Sequence, residues 1–459
     1  MKKQFYIQSP IRSLMSFPII AVLYLILNTG CSKFVEVDNV TDQLLNTQVF
    51  SSQATANSAI NGIYRGLRDK VYNTGATPVL LTGLTSDELY NFTSDASWDD
   101  YRSNNIQTNN NYIPWSSYYA VVYQCNAAIE GLSESPIPQQ YKALYTAEAK
   151  FLRAFCYFHL VNYFGPVPLI LTTDVTKNAN ASRKPVGDVY SLIVNDLTEA
   201  IPDLPNDYNH AGGERIRANV WAAKALLARV YLYQNNWSKA ATVAGEVINS
   251  SKYGLLSNID SFAVRNNRES IFQYANTSGE GNSEPTRFIF TVGPGVLVTP
   301  TLLGAFETDD IRKTKWIKSG VYQSQTYYYP FKFKITGPGN EYYPLLRLAE
   351  QYLIRAEAKA QLDDISGAQS DLDTLRTRAG LPNTTANDKP SLLLAVEHER
   401  QIELFAEGAH RWFDLKRTEK IDAVLSVVKG SNWQSSDALY PIPLSDVTKN
   451  PNLTQNDGY

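Results

Sequence analysis

One helical pattern occurs twice in this chain, and it limits the folds that the chain can adopt. Residues 217–248 and 346–381 each contain a helix, a tight polar turn and a second helix that begins with small residues. Small residues at fixed positions allow helices to pack closely, as in tetratricopeptide-like hairpins. The repeat therefore predicts a mainly α fold built on helical hairpins. With a shift of 128 residues, the matching positions are Ala228 with Ala356, Asn236 with Asp364, Ser238 with Ser366, and Ala240 with Ala368.

Other segments also repeat apolar residues at helical spacing, and together they define a helical scaffold. Between the scaffold segments lie two aromatic-rich insertions without a sustained helical period, at about 70–113 and 255–344. Loops on a rigid scaffold often carry binding residues, so we expect the ligand surface in these insertions. The predicted scaffold segments are about 48–67, 115–164, 187–250 and 346–417.

The two insertions differ in the structure that they predict. The first is rich in Gly, Thr, Asn and Asp, which indicates long loops. The second contains short runs of β-branched and aromatic residues between Gly and Pro turns, which predicts short strands. These runs lie at 270–274, 287–292 and 327–335.

The first thirty residues have the features of a secretion signal. Lys2, Lys3 and Arg12 precede the apolar run 17–27, which is too short to span a bilayer comfortably. The sequence NTGC then ends at Cys31 and resembles a bacterial lipobox. An ordinary secretory signal is the alternative. Lipoboxes usually carry Leu three residues before the cysteine, whereas this chain carries Asn28 there and Leu27 one residue further away. We predict a lipoprotein signal over residues 1–30, acylation of Cys31 with chains such as palmitate, and one domain over 31–459.

Charge and cysteine positions argue against a nucleic-acid partner and against a disulfide. The net charge is −3, which argues against a nucleic-acid partner. Cys125 and Cys156 fall on neighbouring predicted helices, but they lie roughly 15 Å out of register if those helices form an antiparallel hairpin. We therefore expect two buried free thiols rather than a disulfide.

Residues 398–417 concentrate charged side chains, which raises the possibility of an active site. His398 and His410 are too far apart for the zinc motif H-E-x-x-H. The apolar residues recur at helical spacing, which predicts a structural amphipathic helix. That stripe is Ile402, Phe405, Ala406, Ala409, Trp412 and Phe413. A second stripe, in which opposite charges can pair along the helix, is Arg400, Glu403, Glu407 and Arg411.

Five segments in order carry a family resemblance. They are QVFSSQATANSAINGIYRGL at 48–67, EAKFLRAFCYFHLVNYFGPVPL at 148–169, LRLAEQYLIRAEAKA at 346–360, ERQIELFAEGAHRWFDLKR at 399–417 and LYPIPLSDVTKNPNLTQNDGY at 439–459. Together with the lipobox-like signal, they make nearly the whole chain resemble the SusD/RagB family of outer-membrane nutrient-binding lipoproteins. In that family 399–417 is a structural signature helix, whose acids and arginines act as mutual partners.

The resemblance implies a function and a location for the protein. A SusD-like protein is anchored by lipid to the outer membrane, is exposed at the cell surface, and delivers a nutrient to a SusC-type TonB-dependent transporter. Many family members bind oligosaccharides and some bind peptides, so an oligosaccharide is the expected ligand and a peptide is the alternative. A helical-repeat scaffold that binds no ligand is a third interpretation, although a scaffold does not need two large insertions.

An enzyme should leave recognisable motifs, and few are present. The sequence has no G-x-S-x-G elbow, phosphate-binding Gly loop or paired CxxC. Two acidic pairs, Asp87 with Glu88 and Asp99 with Asp100, could supply carboxylates for glycoside hydrolysis. Adjacent acids are more often solvated or capping residues, so we expect no catalytic residue, no metal site and no cofactor.

Sugar binding requires flat rings in loops, with polar groups at the rim, because one face of a pyranose is apolar. Both insertions offer such residues, and the run 327–329 adds three tyrosines. The tryptophans on predicted helices, Trp115, Trp221, Trp237 and Trp412, are expected in the core. The candidate ligand-binding residues are Trp98, Asp99, Tyr101, Arg102, Trp316 and Tyr322.

Overall fold

A computed structural model describes Met1 and residues 46–74, 77–276, 279–290 and 293–459. Residues 2–30 of the predicted signal, and Cys31, lie outside the described residues. Residues 49–459 form one unit, and residues 1–48 are assigned to another. The site and the scaffold discussed below belong to the unit 49–459.

The described chain is mainly helical, as the sequence predicts. Five described scaffold helices begin at a side chain that caps a free backbone N–H group, as Ser52 does for Thr55. The helices are α1 (Asn46–Val49), α2 (Gln53–Leu67), α3 (Pro78–Thr85), α4 (Ala96–Arg102), α5 (Trp115–Ser133), α6 (Gln139–Phe164), α7 (Val175–Asn178), α8 (Val186–Ala200), α9 (Val220–Tyr233), α10 (Trp237–Asn249), α11 (Ser283–Phe288), α12 (Pro300–Ala305), α13 (Ile311–Trp316), α14 (Leu348–Gln361), α15 (Ile365–Arg378), α16 (Lys389–Leu404), α17 (His410–Arg417), α18 (Ile421–Lys429) and α19 (Leu444–Lys449).

The two repeated segments form matching helical hairpins, α9–α10 and α14–α15. At equivalent positions, Asn235 (φ 57°) and Asp363 (φ 62°) adopt the left-handed conformation that ends the first helix. The next residue in each copy caps the second helix: Asn236 accepts from Lys239 N–H, and Asp364 accepts from Gly367 N–H. Helix α10 packs against α14, so the two hairpins are neighbours although 98 residues separate them in sequence. The predicted repeat is confirmed.

Helix α6 lies at the centre of the remaining scaffold and packs against α2, α5 and α8. From Tyr145 onwards almost every side chain of α6 is buried. Cys125 on α5 and Cys156 on α6 are both buried free thiols, as expected from their register.

The segment 398–417 is not one helix, and that prediction is wrong. Helix α16 ends at Leu404 and α17 begins at His410. Ala406 (φ 51°) and Gly408 (φ 50°) lie between them in the left-handed conformation, which breaks the helix. The predicted apolar stripe is nevertheless buried, because the turn directs the residues on both sides of the break into the core.

The strands of the described residues are short and form four antiparallel pairs: β1 with β5, β2 with β3, β4 with β8, and β6 with β7. They are β1 (Leu89–Asn91), β2 (Val167–Pro168), β3 (Arg183–Lys184), β4 (Ser270–Tyr274), β5 (Val296–Val298), β6 (Ile317–Tyr322), β7 (Gln325–Pro330) and β8 (Tyr343–Arg347).

The insertions are more ordered than predicted. The strand at 270–274 is confirmed as β4. For the described residues of the strand predicted at 287–292 the prediction is wrong, because α11 extends to Phe288. The run 327–335 is a strand only up to Pro330, where a proline removes the next ladder donor. The first insertion contains α3, β1 and α4 rather than uninterrupted loop.

Candidate ligand-binding site

The two insertions meet through a short antiparallel ladder. Strand β1 of the first insertion pairs with β5 of the second, with Leu89 opposite Val298 and Asn91 opposite Val296. Side chains alternate along β1, so Leu89 and Asn91 are buried while Tyr90 is exposed. The same alternation leaves Phe92 exposed one residue beyond the strand. The ladder therefore presents two aromatic rings on the outer side of the insertions.

The β6–β7 hairpin supplies further rings next to Phe92. Its register places Tyr322 opposite Gln325 and Gly320 opposite Tyr327. Since side chains alternate between faces, Tyr322, Tyr327 and Tyr329 lie on one face of the hairpin and Tyr328 lies on the other.

We call the ring cluster on this face the aromatic platform. Its members contact one another mostly edge to face, an arrangement favoured by the charge distribution of aromatic rings. Phe92 lies 5.0 Å from Tyr327 and 6.4 Å from Tyr322, measured between ring centroids. Phe290 lies 6.4 Å from Tyr322 and from Tyr329. The platform is Phe92, Phe290, Tyr322, Tyr327 and Tyr329.

Gly320 makes room for one ring of the platform. A Cβ atom at this position would lie 2.5 Å from Cδ1 of Phe290. Any other residue would therefore displace Phe290 or bend the hairpin. The chain carries glycine at the position where a ring covers the strand.

The platform is partly open to solvent. Phe92 is 39% exposed and Tyr322 and Tyr327 are half-buried, while Tyr329 is buried. The hydroxyl of Tyr327 donates to Oε1 of Gln325 at 2.8 Å, which holds the ring against the hairpin. A surface of rings that are fixed by their neighbours loses little entropy when a ligand covers it.

Polar groups adjoin Tyr90, on the same face of β1 as Phe92. The guanidinium of Arg102 lies 5.5 Å from the centroid of the Tyr90 ring. Arg102 Nε donates to Asp99 Oδ1 at 2.9 Å, and Asn91 Nδ2 donates to the same oxygen at 3.1 Å. Both charged side chains remain more than a third exposed. Among the predicted site residues, Tyr322 is thus a half-buried ring of the platform, and Asp99 and Arg102 are partly exposed beside Tyr90.

Three of the predicted binding residues are buried, and their prediction as exposed stacking rings is wrong. Tyr101 is fully buried against Tyr440, and Trp316 donates its Nε1–H to the carbonyl of Ile259 inside the core. Trp98 is 9% exposed and its ring lies 6.4 Å from that of Tyr112. For Trp98 and Tyr101 the physical reason is local: the two residues are three apart on α4 and so face the core together.

The tryptophans predicted to be core residues fall into two groups. Trp115 and Trp412 are buried, as predicted. Trp221 and Trp237 are only partly buried, although both pack against the core.

Sequence reasoning missed Tyr90, Phe92 and Phe290. A signal for the first two was present, since Tyr90 and Phe92 alternate with polar or buried positions as they would on one face of a strand. Phe290 gave no such signal, because its position over Gly320 depends on the hairpin register.

The two acidic pairs that could supply catalytic carboxylates have structural surroundings in the fold. Asp87 is buried and accepts from Arg411. Glu88 is buried beside it, and burial together with the negative charge of Asp87 raises the pKa of Glu88 to about 8. Asp99 pairs with Arg102, and Asp100 accepts from Asn110. Asp87, Asp99 and Asp100 therefore each bind another side chain, and Glu88 is buried.

The charged residues of 400–411 do not pair along one helix, and that prediction is also wrong. Arg400 binds Asp414 across the helix break. Glu403 contacts arginines from other elements, Arg312, Arg347 and Arg378. Burial opposes ionisation of Glu403, but these guanidiniums hold its pKa well below the ordinary value.

Glu407 completes this buried network. Its carboxylate lies 2.7 Å from Nε of Arg347 on β8 and 2.5 Å from Nζ of Lys332 in the second insertion. The turn between α16 and α17 is thereby tied to the base of the insertion that carries the platform. The charged residues of the segment 399–417 are structural partners, but they pair with other elements rather than along one helix.

The described part of the chain offers no helix that combines the length and the apolar character needed to cross a bilayer.

Comparison with known proteins identifies two regions of family similarity. Residues 33–232 match a family described as "Starch-binding associating with outer membrane", and residues 269–459 match the SusD family. SusD-like protein P38 of Formosa agariphila is 26% identical over 78% of this chain and 82% of the relative.

Solved structures share the fold. A SusD superfamily protein from Bacteroides vulgatus superposes with a TM-score of 0.81 at 20% identity, covering 89% of this chain and all of that one. A laminarin-binding SusD-like protein superposes with a TM-score of 0.78 at 28% identity, covering 88% and 99%. With both family regions in order along the chain, the protein belongs to the SusD/RagB family.

Proposed function

We propose that this protein captures an oligosaccharide at the surface of the outer membrane and delivers it to a SusC-type TonB-dependent transporter. The lipid on Cys31 anchors it, and the aromatic platform is the ligand-binding surface. The observation that carries this proposal is the platform itself, where exposed rings from both insertions meet on one face.

The chemistry of the platform suits a saccharide. The C–H face of a pyranose is apolar and packs on aromatic rings, while its hydroxyls require hydrogen-bond partners at the edge. Phe92, Tyr322 and Tyr327 provide rings. Asp99 and Arg102, beside Tyr90, provide an exposed acceptor and donor.

The comparisons support the same ligand class. One structural relative is a laminarin-binding protein, and the family region over residues 33–232 is described as starch-binding. Laminarin and starch fragments are therefore suitable first probes. The platform does not by itself choose between them, because ring stacking tolerates many sugar linkages.

Calorimetric titration with laminariheptaose and with maltoheptaose tests the proposal. The variant Tyr327→Ala removes a ring from the platform, and Tyr328→Ala removes an exposed ring from the opposite face of the same hairpin. We expect Tyr327→Ala to weaken binding by about 1–3 kcal/mol and Tyr328→Ala to leave it unchanged. Equal effects of the two variants, or binding of a peptide library in place of either glycan, would contradict the proposal.

A further inference from the structure

A cleft lined in part by β4 has features of a second ligand site. It consists of two adjoining pockets of about 370 and 480 Å³ that share Asn57, His210 and Arg217 as lining residues. Helix α2, the segment before α9, and the start of α6 form its walls. Pockets of this size hold small ligands or segments of longer ones. The lining residues differ from those of the aromatic platform.

His210 carries a hydrogen-bond acceptor without a protein partner. Its side chain is 9% exposed, and Nε2 lies 3.0 Å from the carbonyl oxygen of Ala218. A carbonyl only accepts, so Nε2 bears the proton and Nδ1 of the neutral ring is an acceptor. Burial lowers the pKa of His210, which keeps the ring neutral. Nδ1 is buried and has no partner within the described residues.

A buried acceptor of this kind normally has a partner, because it has lost its hydrogen bond to water. His210 lines both pockets of the cleft, and a small movement of its ring would bring Nδ1 to the cleft surface, where a donor from a ligand can supply the missing bond. A hydroxyl or an amide N–H group meets this requirement, whereas a carboxylate or phosphate does not.

The amide groups on α2 add hydrogen-bonding capacity to the cleft. Arg217 Nη1 donates to Oδ1 of Asn57 at 2.7 Å, which leaves the Asn57 amide nitrogen as the donor of that side chain. Asn61 follows one turn later on the same face of α2 and is exposed. The two asparagines can therefore bind neighbouring hydroxyls of one ligand.

The charges of the cleft are already neutralised. Arg217 Nε donates to Glu148 at 2.7 Å, and a second guanidinium nitrogen binds the other carboxylate oxygen. Arg65 and Arg68 both pair with Asp69. A cleft whose cations have carboxylate partners favours a neutral ligand over an anionic one.

Aromatic rings line both ends of the cleft. Tyr141 and Tyr145 are stacked, with centroids 6.2 Å apart and planes inclined by 28°. Tyr64 and Phe272 line the other pocket. Tyr145 and Phe272 are buried, so Tyr64 and Tyr141 are the partly exposed rings. Rings beside amide groups form the combination that binds the apolar face and the hydroxyls of a sugar.

We propose that this cleft is a second binding site for a neutral saccharide, used together with the platform. The inference rests on the proposed glycan-binding function and extends it, because two sites on one protein can hold separate parts of a long chain. A tethered second contact raises overall affinity without any change at the first site.

Two substitutions on α2 test whether the cleft binds ligand, one inside the cleft and one outside it. Asn61→Trp fills the cleft from an exposed position, and Ser58→Trp adds the same bulk at an exposed position of α2 outside the cleft lining. Each is combined with Tyr327→Ala and titrated with the two heptasaccharides. We expect the remaining affinity to fall at least about tenfold with Asn61→Trp and to be unchanged with Ser58→Trp.

A second measurement reports on the cleft alone. The chain has 4 histidines, so the ring nitrogens of His210 can be assigned by NMR. Titration with glucose should shift the Nδ1 resonance of His210 in the wild-type protein and in Tyr327→Ala, but not in Asn61→Trp.

The outcomes distinguish the two sites. An unshifted His210 resonance, or unchanged binding in Asn61→Trp, overturns the cleft proposal while leaving the platform in place. A shifted resonance with unchanged heptasaccharide affinity in Tyr327→Ala supports the cleft and contradicts the platform. If neither heptasaccharide binds and His210 does not respond, both proposals are wrong.

Discussion

Arg411 holds Asp87 through two parallel hydrogen bonds: Nε and Nη2 of the arginine each lie 2.8 Å from one carboxylate oxygen of the aspartate. Both side chains are buried. Asp87 comes two residues before β1, and Arg411 is in the first turn of α17. The pair thus joins the C-terminal signature helix to the strand from which Tyr90 and Phe92 project, which is how a structural segment supports a distant ligand surface.

Removal of one partner of this pair should destabilise the protein strongly. Arg411→Ala leaves the Asp87 carboxylate buried without its cation, and breaking a buried pair in this way costs about 3–5 kcal/mol. Arg65→Ala, which breaks an exposed pair with Asp69, should cost less than about 1 kcal/mol. Urea unfolding of both variants measures the difference, and similar losses would contradict the structural role of Arg411.

Glu88 should make stability depend on pH. Its pKa is raised from about 4.5 to about 8 by burial and by Asp87, so the folded state favours the protonated acid. The stabilisation is fully present below pH 4.5 and is lost as the pH rises through 8. Glu88→Gln mimics the protonated form, so its stability relative to the wild type should increase over this window. The exposed control Glu246→Gln should show no such trend, and parallel pH profiles for wild type and Glu88→Gln would exclude this role.

The scaffold was more predictable from the sequence than the contacts that hold it. Asn235 with Asp363, and Asn236 with Asp364, recur at equivalent turn positions, and turn chemistry is local. The Arg411 to Asp87 pair is different, because it joins residues that lie 324 positions apart in the sequence. Helical spacing alone could suggest pairs along one helix, and these were the pairs that the structure does not contain.

Trp98→Ala should reduce stability rather than ligand affinity. The ring is 9% exposed, packs near Tyr112 and has the Arg287 guanidinium 5.9 Å from its centroid. Truncation of a buried tryptophan leaves a cavity and costs about 3–5 kcal/mol. Thermal melts and glycan titration measure the two effects separately. Weakened binding without a change in melting temperature would restore Trp98 to the site.

The predicted site residues differ in how well the sequence could place them. Asp99 and Arg102 are exposed because charged side chains rarely lose water without compensation. An aromatic ring is stable in either environment, so the sequence could not decide between Trp98 and Phe92. The local structure determines which ring is exposed: α4 directs Trp98 and Tyr101 inward, and β1 directs Phe92 outward.

Cys31→Ala should release the protein from the membrane without unfolding it. Lipid chains supply membrane affinity in proportion to their buried length, and the described residues contain no spanning helix to replace them. Fractionation of cells that express the wild type and the variant measures the change, with the melting temperature of the purified variant as the control. Membrane retention of Cys31→Ala, or a wild-type protein without attached lipid, would show that the anchor lies elsewhere.

Gly320→Ala should damage the platform while the fold remains intact. The added Cβ would lie 2.5 Å from the Phe290 ring, so the ring must move away from Tyr322 and Tyr329. We expect glycan affinity to fall by about 1 kcal/mol or more, because stacking surfaces depend on ring position. Gly304→Ala is the matched control, since a Cβ there meets no atom within 4 Å. If calorimetry gives the two variants the same affinity, Phe290 does not help to shape the ligand surface.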